Sequence, residues 1–161
     1  MTNKANVAPL TVGEWYTRHS EALQLRLLGP AVGFDRVIRE PTINRPGLAL
    51  SGFFAYFAVK RIQVLGSAEL SYLKSLSREE VRTRAKELFS RTIPCVVISR
   101  AANPPKAVLE EAANFGVAVF RTPMITMRFI NSATILLESD FAPTISEYGS
   151  MVDILGIGVM I

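Results

Sequence analysis

Two arginines stand where two apolar, β-rich runs end, and this placement predicts a site for an anion. Ser99 ends the run "CVVIS" and is followed by Arg100, while Arg121 ends the run "VAVFR" and is followed by Thr122. In open α/β sheets, ligands gather at the carboxyl ends of neighbouring parallel strands. Two guanidinium groups there can hold a phosphate or carboxylate through paired hydrogen bonds. These four residues are the candidate anion-binding set; alternatively, the arginines pair with Glu or Asp or cap helix ends.

Other residues that could carry chemistry lack the neighbours which that chemistry requires. His19 is the only histidine, and one histidine alone builds neither a zinc site nor a catalytic triad. Cys95, the only cysteine, opens an apolar run and is expected to be a small core residue. The stretch "GIGVMI" lacks the third glycine and the helix of a dinucleotide loop, and no G-x-x-x-x-G-K-[ST] occurs. We therefore expect no metal, no cofactor and no confident catalytic residue in this chain.

The composition is that of one globular domain in a reducing compartment. The chain has 161 residues, of which 49% are hydrophobic and 20% are charged, enough for one ordinary core. A single cysteine forms no internal disulfide, which favours a cytoplasmic setting. No apolar run reaches the length of a membrane span, and the amino terminus lacks the layout of a signal peptide. We expect no membrane association.

Charge is distributed unevenly along the chain. Residues 1–121 carry 17 Lys and Arg against 10 Asp and Glu, whereas residues 122–161 carry 1 against 4. A basic face of this kind is one way to bind nucleic acid. The basic residues are interleaved with acids, however, and no zinc-ligand or basic-helix pattern accompanies them. We therefore expect a solvated surface with a few arginines set aside for an anion, and no nucleic-acid partner.

Local patterns predict the elements that must position the arginines. Between the two apolar runs, "PPKAVLEEAANFG" begins with prolines and ends with glycine, as helices do. Two strands joined by a helix are expected to be parallel, with a right-handed crossover. A second helix at 77–90 has a capping box formed by Ser77 and Glu80. The other predicted elements are a helix at 10–19 capped by Thr11, strands at 23–28, 34–40 and 61–66, a short helix capped by Ser67, a helix at 125–141 and a terminal strand.

This order of elements predicts an α/β fold, a layered open sheet that is mixed or mostly parallel, with flanking helices. We expect a loose leader at 1–9 and one α/β domain at 10–143. Residues 144–161 are expected to form a linker and a terminal strand, which either closes a sheet or, as the resemblance described next implies, leads into a further domain.

Several blocks of this sequence resemble HPr kinase/phosphorylase. The stretch "NRPGLALSGFFAYFAVKRIQVLGSAELSYL" at 44–73 is similar to that family's N/S-R-P-G block, its aromatic-rich block and its R-[IV]-Q-[LV]-L-G-x-x-E block. Residues 92–144 match, in order, the blocks P-x-[IV]-[IV]-[IL]-[ST]-R, P-x-x-L, G-[IV]-x-[VL]-[LF]-R-[ST] and L-A-P-T. The terminal "YGSMVDILGIGVMI" resembles H-G-V-L-V-D-[IV]-x-G-x-G-V-L-[IL]. The resemblance runs from about Leu10 to Ile161.

The resemblance implies the amino-terminal domain of a two-domain enzyme, with a fold similar to the substrate-binding domain of Mur ligases. Such enzymes phosphorylate a serine of HPr, the phosphocarrier of the sugar phosphotransferase system, and reverse the reaction by phosphorolysis in carbon catabolite control. They use ATP or pyrophosphate with magnesium, bind HPr through their carboxyl-terminal domain and assemble as cytoplasmic hexamers, largely through that same domain. In the family a Walker-type loop follows the block that ends here at Ile161. The resemblance therefore implies that the catalytic parts lie outside this chain.

One position departs from the family pattern. Tyr148 stands where the family has an active-site histidine. Histidine titrates near neutral pH, whereas tyrosine has a pKa near 10 and is a poor proton shuttle at pH 7. We expect kinase activity to survive in the parent protein, because an aspartate of the other domain would accept the serine proton. The alternative function is a stand-alone α/β module that binds an anionic metabolite through Arg100 and Arg121.

Overall fold

The computed structural model describes residues 8–143, 151–154 and 157–160. Six helices and seven strands lie in these ranges. In chain order they are α1 (Val12–His19), β1 (Arg26–Leu28), β2 (Ile43–Asn44), α2 (Gly47–Leu50), β3 (Ile62–Leu65), α3 (Ser67–Ser75), α4 (Arg78–Phe89), β4 (Cys95–Ile98), α5 (Lys106–Asn114), β5 (Ala118–Arg121), α6 (Thr126–Phe141), β6 (Met151–Ile154) and β7 (Ile157–Met160).

Five strands form a mixed sheet in the order β1-β5-β4-β3-β2. The strands β2 to β5 are parallel, and β1 pairs with β5 in the antiparallel direction. The predicted parallel pairing around α5 is confirmed, since Cys95 lies opposite Ala118 and Ile98 opposite Arg121. All four parallel strands therefore end at one edge, which we call the carboxyl edge.

Each face of the sheet is covered by helices, so the domain has three layers. Side chains alternate across a strand, and β4 sends Cys95 and Val97 to one face and Val96 and Ile98 to the other. The first face packs against α1 and α6, and the second against α3, α4 and α5. Burial of both faces explains why β3, β4 and β5 are almost continuously apolar. The predicted layered α/β fold is confirmed.

The strand predicted at 34–40 is wrong, because the segment is held in another way. The Arg36 guanidinium donates hydrogen bonds of 2.7 to 2.9 Å to the backbone carbonyls of Ile93, Phe115 and Gly116. Those carbonyls precede β4 and β5, so the segment runs past the amino ends of these strands. Gly33 allows the close approach, since a Cβ there would lie 2.3 Å from the Gly116 carbonyl oxygen. Within the described residues, the β pairing of this segment is limited to one bridge, between Thr11 and Val37.

Three smaller predictions need correction. The strand at 23–28 is shorter than predicted, because Gln24 has a φ of +51° and only Arg26–Leu28 pairs with β5. The cap of α3 is Gly66 rather than Ser67, since the Glu69 carboxylate accepts the Gly66 backbone N–H. The predicted terminal strand is two strands, β6 and β7, which pair with each other in the antiparallel direction.

Predictions with strong local patterns are confirmed. Thr11 caps α1 and Ser77 caps α4, each in a full capping box. The helix predicted at 125–141 is α6. Tyr148 lies outside the described residues, and the division into leader, domain and linker stays a prediction.

Candidate functional site

Two of the four candidate anion-binding residues have their hydroxyl groups inside the protein. Ser99 and Thr122 are both fully buried. The Ser99 hydroxyl lies 2.7 Å from the Thr126 hydroxyl and 3.4 Å from the Leu65 carbonyl oxygen. The Thr122 hydroxyl donates to the Leu23 carbonyl at 2.7 Å. Both side chains therefore tie the ends of β4 and β5 to neighbouring segments.

Arg100 is exposed and sits in an unusual backbone conformation. Arg100 and Ala101 have φ values of +60° and +50°, a region that residues other than glycine rarely adopt. Their N–H groups donate to the carbonyls of Met124 and Thr122, both at 2.8 Å. The loop after β5 therefore holds the turn after β4 in place. In the described part of the chain, no ion pair joins this arginine to an acidic side chain.

Arg121 lies beside a second arginine and an asparagine. Its Nη1 donates to the Asn103 Oδ1 at 2.8 Å. In the β1–β5 ladder, Arg121 lies directly opposite Arg26. Residues opposite each other in an antiparallel pair share one face, and like charges there repel. Arg121 therefore has a polar neighbour and a basic neighbour, and the anion site at Arg100 and Arg121 stays a prediction.

An ion pair at the same edge, between the buried Glu69 and the 40% exposed Arg45, was not among the predicted site residues. Arg45 donates to Glu69 through Nε and Nη2, at 3.0 and 2.9 Å. Glu69 is 5% exposed and also accepts the Gly66 N–H at 2.8 Å. Burial opposes ionisation, but the hydrogen bonds from Arg45 and the backbone outweigh it and hold the pKa of Glu69 below its ordinary value. Arg45 lies in the block N-R-P-G, and Gly66 and Glu69 lie in the block L-G-x-x-E. The family resemblance therefore contained the residues of this ion pair.

These contacts form a closed cluster of five residues, which are Arg45, Gly66, Glu69, Ser99 and Thr126. They come from the β2–α2 connection, the β3–α3 connection, the first turn of α3, the residue after β4 and the start of α6. A Cβ on Gly66 would lie 2.8 Å from the Thr126 Oγ1 and 3.2 Å from both Arg45 Nη2 and Glu69 Oε2. Polar groups in this closed cluster are paired with one another, so its chemistry is structural.

A basic pocket of about 460 Å³ opens on the α3–α5 side of the sheet. Its cationic residues are Lys74, Arg78 and Lys106, and Asn103 adds an amide. Asn103 is the residue that accepts from Arg121. The remaining wall is apolar and is lined by Leu73, Leu76, Val81, Pro104, Pro105 and Ala107. The arrangement suits an anionic ligand with an organic part.

The helix α2 and its connection to β3 expose apolar and aromatic side chains. We call residues 48–57 the aromatic loop. Leu48, Phe53 and Tyr56 are 71%, 55% and fully exposed. Beneath them, Phe54 packs edge-on against Phe57, and the Arg91 guanidinium lies 3.9 Å from the centre of the Phe54 ring. The loop is therefore anchored on one side and presents an apolar surface on the other.

The two remaining candidates, His19 and Cys95, make contacts that stabilise the fold. The His19 Nε2 lies 2.7 Å from the Asp140 Oδ2, which links α1 to the end of α6. Cys95 is fully buried in the core as predicted, and burial raises the pKa of its thiol. Among the described residues, no group of three or more metal-ligating side chains comes together, and no helix is long and apolar enough to cross a membrane.

The fold and these surfaces define a three-layer α/β domain with a paired polar cluster, a basic pocket and an exposed aromatic loop. One solved structure shares the fold, with a TM-score of 0.51 and 14% identity over 80% of this chain and 49% of that one. It contains the CBS and DRTGG domains of the regulatory region of Clostridium perfringens pyrophosphatase, complexed with the activator diadenosine tetraphosphate. At this identity, the similarity concerns the fold alone.

The chain belongs to the family described as HPr Serine kinase N terminus, whose model matches residues 10–137. A relative from Halalkalibacterium halodurans, named HPr kinase/phosphorylase, is 40% identical over 88% of this chain. A relative of the same name from Geobacillus thermodenitrificans is 38% identical over the same share. The match covers 46% of each relative, so the chain spans about half their length. The family resemblance in the sequence is confirmed.

Proposed function

We propose that this chain is the regulatory and assembly domain of a cytoplasmic serine kinase/phosphorylase that acts on HPr in carbon catabolite control. One observation supports this proposal above the others: 88% of the chain aligns with HPr kinase/phosphorylase, and the match covers 46% of each of the two relatives named above, which leaves about half of each outside it. That remaining length has room for a catalytic domain. The same observation disfavours the stand-alone metabolite-binding module.

The chemistry of the proposed parent enzyme is phosphoryl transfer. ATP or pyrophosphate donates a phosphoryl group to the serine hydroxyl, which loses its proton; in the reverse direction inorganic phosphate takes the group back, forming pyrophosphate. Magnesium neutralises charge on the transferred group. We assign magnesium, the nucleotide and the HPr contact to the other domain, as the resemblance to the family implies.

A direct assay tests this assignment. The full-length parent protein is mixed with purified HPr, magnesium and either ATP or pyrophosphate, and phosphoserine is measured by intact-mass spectrometry. We expect phosphoserine with the parent and none with residues 1–161 alone. Absence of phosphoserine with the parent under both donors would reject the kinase proposal. A parallel Tyr148→His variant asks whether tyrosine limits the reaction; activity seen only after that change would contradict our expectation that kinase activity survives.

The assembly role rests on the aromatic loop. Leu48, Phe53 and Tyr56 present apolar area without a partner in the described chain, and a second copy of the parent is the occupant we propose. Sedimentation velocity on the parent protein compares the wild type with a variant carrying serine at all three positions. The matched control carries Met127→Ser and Ile135→Ser, which alter exposed apolar residues of α6. We expect smaller particles for the loop variant only; equal size for both variants would exclude the loop from the interface.

A further inference from the structure

We propose that the basic pocket binds a phosphorylated organic small molecule. In this proposal the phosphate group lies among Lys74, Arg78 and Lys106, and the organic part packs against Leu76, Pro104 and Pro105. The proposal goes beyond the HPr kinase assignment and does not depend on it, because binding to this domain is measured without catalysis.

The three cations come from three different helices. Lys74 lies in the last turn of α3, Arg78 is the first residue of α4, and Lys106 is the first residue of α5. Each of these residues lines the same cavity, so the fold brings three cationic residues together there. Convergence of this kind from separate elements is what a phosphate site requires, because a phosphate accepts several charged hydrogen bonds at once.

Two of these cations occupy positions that do not favour the fold. The amino-terminal end of a helix carries partial positive charge, which disfavours Lys and Arg and favours Asp and Glu. Arg78 and Lys106 both sit at such an end. A bound phosphate would turn this local repulsion into attraction, because the anion favours both the helix ends and the cations. Ligand binding therefore explains a charge placement that helix stability does not.

The acidic groups near the pocket do not cancel its charge. Lys106 Nζ lies 3.9 Å from Glu110, but Glu110 also accepts from Arg82 at 2.8 Å. Glu79 and Glu80 follow Arg78 in α4, and the Glu80 carboxylate accepts the Ser77 N–H at 2.8 Å. On the opposite side, Asn103 connects the pocket to Arg121. Of the residues that the structure describes, three cationic ones and no acidic one line the cavity itself.

Asn103 has a defined orientation in this arrangement. Arginine has no hydrogen-bond acceptor, so the side-chain oxygen of Asn103 must face Arg121, from which it accepts at 2.8 Å. Its amide N–H₂ group is left to donate elsewhere. The walls behind it are firm, since Leu73, Val81 and Ala107 are at most 4% exposed. The apolar wall of the pocket is thus preformed, and the cavity of about 460 Å³ lies within the volume range of small-molecule sites.

The test is direct binding to this chain at physiological salt, with pyrophosphate and ATP as probes. Isothermal titration calorimetry compares the wild type with a variant carrying Lys74→Gln, Arg78→Gln and Lys106→Gln. The matched control is Lys86→Gln, which removes an exposed cation from the other end of α4. We expect at least one probe to bind, with a Kd that rises about tenfold or more in the pocket variant. We expect no such rise in the control.

Two outcomes would overturn the proposal. Neither probe binding at concentrations of about 1 mM would remove the site. Equal affinity of the wild type and the pocket variant would place any binding elsewhere, including at Arg100. Circular dichroism of the pocket variant checks that it is folded; if it is not, Lys106→Gln alone is compared with Lys86→Gln in the same titration. The HPr phosphorylation assay is independent of both outcomes.

Discussion

The closed cluster and the basic pocket both lie beyond strand ends at the carboxyl edge, but they differ in charge pairing. Opposite charges are closely paired in the cluster, whereas the pocket gathers cations. In the closed cluster, the buried Glu69 accepts from Arg45 and from the Gly66 backbone. In the basic pocket, Lys74, Arg78 and Lys106 share one cavity, and the single ion pair any of them makes in the described chain is the 3.9 Å contact with Glu110. Paired charges are typical of a structural contact, whereas a surplus of positive charge is what an anionic ligand would neutralise.

Burial is the physical reason for the difference. A buried carboxylate without a partner costs several kcal/mol, so the fold must supply its partners. Exposed cations remain hydrated, and the fold tolerates them without partners. The comparison fails if removing the contacts of the closed cluster leaves the free energy of unfolding unchanged. It also fails if removing the cations of the pocket lowers that free energy.

The largest expected effect is at Glu69. In Glu69→Gln, the amide N–H₂ meets the Arg45 guanidinium, so one side of the bidentate pair becomes donor against donor. We expect a loss of about 2–4 kcal/mol in the free energy of unfolding, measured with urea. The control Glu79→Gln removes an exposed carboxylate from α4 and should change stability by less than about 0.5 kcal/mol. Equal stability of both variants would contradict the role given to the closed cluster.

The pH dependence of stability also tests the contribution of the ionised Glu69 carboxylate. The pKa of Glu69 is lower in the folded protein than its ordinary value of 4.5. Its contribution is therefore fully present above the unfolded pKa and is lost as pH falls through the folded pKa. We expect the stability difference between the wild type and Glu69→Gln to be constant near neutral pH and to shrink in acid. A difference that grows as pH falls below 4.5 would reverse the sign and refute this pKa direction.

The next effect in size is at Gly66. A methyl group there would lie 2.8 Å from the Thr126 Oγ1, so Gly66→Ala forces α6 or the β3–α3 connection to move. We expect a loss of about 1–3 kcal/mol in unfolding free energy. Removing the oxygen with Thr126→Ala relieves the clash, so the double variant should be more stable than the sum of the single losses predicts. Simple additivity would mean that the two residues do not meet.

Sequence patterns predicted elements that neighbouring residues form and missed contacts between residues far apart in the chain. The helices α4, α5 and α6 and the parallel pair β4–β5 follow from caps and periodicity within a short stretch. The Arg45–Glu69 pair joins residues 24 positions apart, and no periodicity reports such a contact. The strand predicted at 34–40 is wrong for the same reason, since Arg36 binds carbonyls at 93, 115 and 116. Ser99 and Thr122 were placed at the correct edge, but sequence alone could not show that their hydroxyls are buried.

The smallest expected effect on stability is in the basic pocket. A clear loss of stability there would contradict the comparison directly. Arg78→Gln and Lys106→Gln each remove a cation from the first position of a helix, where the helix dipole disfavours it. The weak Lys106–Glu110 contact at 3.9 Å is lost as well, but exposed pairs of this kind contribute little. We expect urea unfolding of either variant to stay within about 0.5 kcal/mol of the wild type, without loss for Arg78→Gln. A loss above about 1 kcal/mol would show that these cations hold the fold, and the surplus charge would then need no ligand to explain it.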